Sequence, residues 1–290
     1  MVKKWLSFGL WGYVAPCLIP DILPNNYFQF KQFRIDQNQS ALKVCTDACI
    51  LGAWSANIIA AQIQDDACPD TAIRTLDVGT GTGLLTLMLA QVLSPIAAKS
   101  TLKLDFTAIE LDQPSYQEAT ENFERSDWAS SITTLQVDAR QYEFPELPSS
   151  ADFIVANPPF FQGSLKAGNK ARNAALHNDT FSLNDLVEFC NRNAKPQTNI
   201  FVLLPPAEMD IFLMLLPEDY VLSEILSVRN SGEGPVFRQY AHLICNHGRP
   251  QDLLLPPIRT EQSIKQMGSI HPHQYSDWFA DLLAPFYLQL

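Results

Sequence analysis

From residue 73 onward, short apolar runs alternate with longer stretches whose apolar residues recur at helical spacing. The short runs predict strands over 73–78, 104–109, 132–137, 152–156 and 199–204. The longer stretches predict helices over 84–93, 113–125, 182–194 and 207–215. Such alternation implies an α/β fold, a parallel sheet with helices on both faces. The pattern then changes: "YVLSEILSVRN" and "VFRQYAHLICNHG" are successive strand patterns joined by "SGEGP". A short loop between two strands makes a hairpin, so the last strand should run antiparallel. Upstream of the alternation, Thr46 or Asp47 can cap a helix reaching about residue 61, with Leu51, Trp54, Ile58 and Ile59 on its apolar side. "QDDACPDT" follows as a loop. Residues 26–290 are expected to form one domain, with a helical lead-in (26–62) and a closing amphipathic helix (275–290), behind an extension over 1–25.

Charge and cysteines narrow the class of protein. Lys and Arg number 20 against 31 Asp and Glu, a net charge of −11. That excludes a uniformly basic nucleic-acid binder but leaves room for a local basic patch. The six cysteines form no CxxC pair, so free thiols in a reducing, cytoplasmic compartment are expected. Lys3 and Lys4 precede an uncharged stretch from Trp5 to Pro20. It is shorter than the roughly 20 apolar residues that span a bilayer, and Pro16 interrupts it, so no stable membrane association is expected. No metal site is expected either: His242 and His247 straddle a strand end, and His271 and His273 flank Pro272 in a turn.

"LDVGTGTGLLTLMLAQ" reads as a strand, a glycine loop and a helix. Gly79, Gly81 and Gly83 let the backbone take positive φ and approach a ligand, with Thr80 and Thr82 between them. A dinucleotide fingerprint would place its third glycine at position 84, which is leucine. Asp77, just before the loop, suits a cationic ligand rather than a pyrophosphate. Glu110 ends the next strand, where a carboxylate can accept bonds from ribose hydroxyls. Asp138, with Ala139 beside it, follows the third strand and could accept from an adenine amino group.

This pattern resembles the class I S-adenosylmethionine-dependent methyltransferases. The resemblance covers roughly residues 70–250. It implies a Rossmann-like, seven-stranded, mostly parallel sheet with the last strand antiparallel. It also implies that S-adenosylmethionine is the cofactor, held by the residues just named, with Leu111 packed on its adenine.

"IVANPPFFQG" ends the fourth strand in an amide, two prolines and a ring. The Asn157 side-chain oxygen and the Pro158 carbonyl can accept both hydrogens of an NH2 group. Pro159 stiffens the turn and Phe160 offers a face for a planar base. The motif resembles that of amino-methyltransferases acting on adenine N6, guanine N2 or protein glutamine. "FKQFRIDQNQSALKVCTDACILGAW" resembles the opening of the bacterial tRNA1(Val) (adenine-37-N6)-methyltransferases, with Cys45 where glycine is usual. In them this stretch closes over the cofactor, which would bring Lys43, Thr46 and Asp47 near it. The substrate so implied is tRNA. Lys166, Lys170 and Arg172 lie in an acid-free run after the motif and are candidates for its phosphates. A protein glutamine N5-methyltransferase, an rRNA guanine N2-methyltransferase and a non-catalytic binding module are the alternatives.

Overall fold

The computed structural model describes residues 26–40, 43–65, 72–144, 151–158, 181–246, 256–265 and 275–290. In chain order the strands are β1 (Tyr27–Gln29), β2 (Arg34–Asp36), β3 (Ala72–Val78), β4 (Lys103–Glu110), β5 (Ile132–Gln136), β6 (Ala151–Ala156), β7 (Ala194–Leu204), β8 (Tyr220–Arg229), β9 (Val236–Cys245) and β10 (Ile258–Ser263). The described α-helices are α1 (Thr46–Asp65), α2 (Leu84–Ala97), α3 (Gln113–Glu124), α4 (Leu183–Asn193), α5 (Pro206–Leu215) and α6 (Asp277–Leu283).

The main sheet has eight strands in the order β10-β8-β9-β7-β6-β3-β4-β5. The seven expected strands are all present, and β9 runs antiparallel to both its neighbours, β7 and β8. The eighth, β10, lies parallel to β8 at the edge. Its sequence, IRTEQS, is mostly polar and nowhere fully buried, so it carries no apolar alternation to announce it. The lead-in also differs from a purely helical one. Before α1, β1 and β2 pair antiparallel, with Phe28 opposite Ile35. Phe30 and Ile35 are fully buried in the core, and that burial holds this short hairpin in place. α6 is shorter than the helix expected over 275–290, because Pro285 lies just beyond its last turn.

Alternation along the strands sorts side chains onto two buried faces. Phe153, Val155, Phe201 and Leu203 pack with α1, α2 and α6; Ile154, Ala156, Ile200 and Val202 pack with α4 and α5. Both faces are therefore apolar, as in doubly wound sheets. Helix starts follow local chemistry. The Asp112 carboxylate accepts from the Ser115 N–H to open α3, and Ser182 with Asp185 forms a capping box at α4. The two ends of the described chain are joined. Phe30 bridges Tyr287, and Lys31 donates from its backbone N–H to the Phe286 carbonyl at 2.8 Å and from Nζ to the Ala284 carbonyl at 2.5 Å.

The sheet order places the functional rim. From β3 the chain moves one way to β4 and β5, and later the other way to β6 and β7. The crevice at such a reversal, beyond the C-terminal ends of the strands, is where ligands bind in open α/β sheets. Here it falls between β3 and β6.

Candidate active site

Asp77 opposes Val155 and Val78 opposes Ala156 across the β3–β6 pair, so Gly79 and Asn157 leave adjacent strands side by side. Asp77 is buried at 1 % exposure. One carboxylate oxygen, Oδ2, accepts from the Thr80 and Thr86 hydroxyls, both at 2.7 Å. The other, Oδ1, is buried without a partner. Burial pushes the Asp77 carboxyl up to about 6, against the opposing pull of the two hydroxyls and the Thr86 N–H. A buried carboxylate oxygen left unsatisfied is costly in a lone protein and is suited to a cationic ligand.

The glycine loop supplies the space for one. Gly79 and Gly81 sit at φ 67° and 57°, and a Cβ on either would meet nothing within 4 Å. Their open side is a cradle that a side chain would partly fill. Gly83 differs: at φ 85° its Cβ would come within 2.5 Å of the Phe123 ring, so its role is close packing of loop against α3.

Glu110 is already at work in the free protein. Its Oε2 accepts from the Gly81 N–H, and its Oε1 from the N–H groups of Leu111 and Asp112, all at 2.9 Å. It thus fastens the glycine loop to the end of β4. Three bonds leave a carboxylate room for about one more, which a ribose hydroxyl could use. Leu111 is 55 % exposed, an apolar side chain turned out at the rim. Asp138 is engaged more fully than expected. Arg140 Nε lies 3.0 and 2.9 Å from its two oxygens and Nη2 lies 2.6 Å from Oδ2, which holds the carboxyl below the usual range. The Ala139 carbonyl accepts from Arg192 Nη2 at 3.0 Å.

Among the lead-in residues, Lys43 Nζ donates to the Gln37 carbonyl and Thr46 is exposed at the start of α1. Asp47 is nearly buried and paired with Arg238 at 2.7 Å, 191 positions away on β9. Because β9 is antiparallel, its first half meets the last residues of β7, with Gln239 opposite Leu204, so Arg238 stands at the same rim. Asn157 is half-buried and Pro158 buried at the end of β6. Pro159, Phe160, Lys166, Lys170 and Arg172 lie outside the described residues. Nothing in the local sequence marks Arg238, Glu118 or Asn122, three polar residues that tie the lead-in down. Among the described residues no group of three His, Cys, Asp or Glu could hold a metal, and no helix is long and apolar enough to cross a membrane.

The fold has counterparts among solved structures. A protein described as a predicted O-methyltransferase from Agrobacterium tumefaciens superposes with TM-score 0.52 at 16 % identity, covering 82 % of this chain and 96 % of its own. Residues 55–178 match the family model "Methyltransferase small domain". The tRNA1(Val) (adenine(37)-N6)-methyltransferase of Parabacteroides distasonis is 33 % identical over 272 residues, covering 92 % of this chain and all of that protein. The protein of the same name from Cytophaga hutchinsonii is 36 % identical over 268 residues, with 92 % and 100 % covered. This chain belongs to the tRNA1(Val) (adenine(37)-N6)-methyltransferase family. At the crevice between β3 and β6, Asp77, the glycine loop and Glu110 thus stand beside Asn157 and Pro158 at the end of β6.

Proposed function

We propose that this protein transfers a methyl group from S-adenosylmethionine to N6 of adenine in tRNA, with adenine 37 of tRNA1(Val) as the target base. The observation that carries the reading is the adjacency of Asn157 to the Asp77 cradle across one pair of parallel strands. The residues present fit the cofactor: an unpartnered buried carboxylate oxygen for its cationic part, an open glycine cradle, and a carboxylate with capacity left for a ribose hydroxyl. When bound, S-adenosylmethionine supplies a methyl group on a positively charged sulfur, an electrophile for an amine nitrogen.

The chain's own part is positioning. The Asn157 side-chain oxygen and the Pro158 carbonyl would accept the two amine hydrogens, drawing the nitrogen lone pair out of conjugation. Phe160 would stack on the flipped base, and Lys166, Lys170 and Arg172 would meet tRNA phosphates. No strong base is required, because the amine becomes acidic as it gains the methyl and its proton can leave to water. Lys43, Thr46 and Asp47 lie on the segment that would border the cofactor. Asp138 would reach an adenine amino group only by sharing its carboxylate with Arg140. A tRNA-modifying enzyme of this kind works in the cytoplasm and needs neither a metal nor a membrane.

The test is methyl transfer from labelled S-adenosylmethionine to bulk tRNA lacking the modification, with nucleosides identified after digestion. N6-methyladenosine from the wild type, reduced by about 10²–10³ in kcat for Asn157→Ala with cofactor binding retained, is expected. Label appearing as methylguanosine would correct the base. Label entering only protein would replace the reading with glutamine N5-methylation.

A further inference from the structure

We infer that Asn122 is a positioning residue that couples the lead-in segment to the glycine loop, so that the donor site is set by a side chain that would not touch the cofactor. The inference rests on the proposed function above and adds to it the device that shapes its donor site.

Asn122 lies in the third turn of α3 at 1 % exposure, and its amide is used on both sides. Its Oδ1 accepts from the Asp36 N–H at 2.9 Å, and its Nδ2 donates to the Asp36 carbonyl at 2.9 Å. The side chain thus pairs with residue 36 much as a neighbouring strand would. The same Nδ2 donates to the Thr82 carbonyl, also at 2.9 Å, and Thr82 stands between the second and third glycines of the loop. One buried amide therefore ties the end of β2 to the cradle. A turn earlier on α3, Glu118, at 3 % exposure, accepts from the N–H groups of Gln39 at 2.9 Å and Ser40 at 2.8 Å. Ser40 also meets Ser115 in the first turn, at 3.4 Å between hydroxyls. The lead-in so climbs α3 from Asn122 to Ser115, up to the rim.

Its far end is fixed on the other flank. After Ser40 the chain reaches Asp47, which Arg238 of β9 holds at 2.7 Å. In the sheet order, β3 with Asp77 and β6 with Asn157 lie between β4, which leads into α3, and β9. The segment is therefore anchored on both sides of the reacting crevice, and among the described residues Asn122 is the anchor that also grips the glycine loop. Buried amides with every bond satisfied hold geometry tightly, since each lost bond leaves an unsatisfied group behind.

The experiment uses the full chain and isothermal titration with S-adenosylhomocysteine, alongside kcat and the separate KM values for S-adenosylmethionine and tRNA. Asn122→Ala should weaken binding about tenfold or more, raising KM for the donor while KM for tRNA and kcat stay within about twofold. Glu118→Gln, which loosens only the lead-in, should weaken donor binding by a smaller factor, about threefold. Asn122→Asp keeps the acceptor for the Asp36 N–H but loses the donor to both the Asp36 and Thr82 carbonyls, and should resemble Asn122→Ala; it stands in should the alanine variant fail to fold. Ile200→Val, on the opposite face of the sheet, controls for lowered stability alone. Donor binding unchanged in the Asn122 variants, or reduced no more than in the control at equal loss of Tm, overturns the inference. A wild type that binds no S-adenosylhomocysteine overturns the proposed function and this coupling with it.

Discussion

At the scale of single residues, Asp77 sets the most direct prediction. Its folded-state value of about 6 lies above the ordinary 3.8, so between these values the folded protein keeps a proton that the unfolded chain has lost. Unliganded stability should fall as pH rises from about 4 to about 6, then level off. Donor binding should do the opposite, because a cation needs the ionised form: affinity should be highest above about pH 6 and drop roughly tenfold per unit below it. Asp77→Asn should flatten both profiles and raise Tm of the free protein at pH 7.5 while abolishing tight donor binding. Titration calorimetry and thermal melts from pH 4.5 to 8 read both. The glycines divide in a related way. Gly83→Ala forces a Cβ into a buried Phe123 at positive φ, and should cost about 2–4 kcal/mol of stability in a denaturant titration. Gly79→Ala meets open space, so it should cost only about 1–2 kcal/mol of strain but still obstruct the donor cradle.

At the scale of elements, the legible and illegible parts separate by where their partners lie. The strands from β3 to β9 and their helices were readable because burial on two faces leaves continuous apolar runs, broken by turn residues at each end. The positions of Asp77, Glu110 and Asp138 were readable because each lies at or just past the C-terminal end of a strand in that alternation. β10 was not, since an edge strand of IRTEQS needs little apolar content to pair with β8. The β1–β2 hairpin was missed because three-residue strands give too few alternations to register. Nor does α3 reveal its buried polar seam. Glu118 and Glu121 look alike in sequence, yet the first is nearly buried against the lead-in and the second is exposed. The engagement of Asp138 by Arg140 and of Asp47 by Arg238 depends on side-chain geometry that spacing does not encode. What α3 does, as a beam bearing the lead-in on one side and the glycine loop on the other, is a property of tertiary contact.

For the whole molecule, a net charge of −11 has to coexist with a polyanionic substrate. On the proposed function, attraction would come from a local run, for which Lys166, Lys170 and Arg172, in an acid-free stretch of sequence, are the candidates. Replacing all three with Gln should weaken tRNA binding and make the salt slope shallower by about 2–3, from roughly 0.7–0.9 per phosphate contact, without changing donor affinity. Filter binding between 50 and 200 mM salt measures it. The stitching of residues 30 and 31 to 284–287 has a consequence in time. Lys31 and Ala284 are 253 positions apart, and a ribosome adding ~5–20 residues per second needs roughly 13–50 s to make the second after the first. Through that interval the ring of Phe30, wholly enclosed in the folded protein, has Phe28 and Phe33 beside it but not Tyr287. The closure of residues 30 and 31 on 284–287 therefore comes late in synthesis, after every strand of the main sheet has been made.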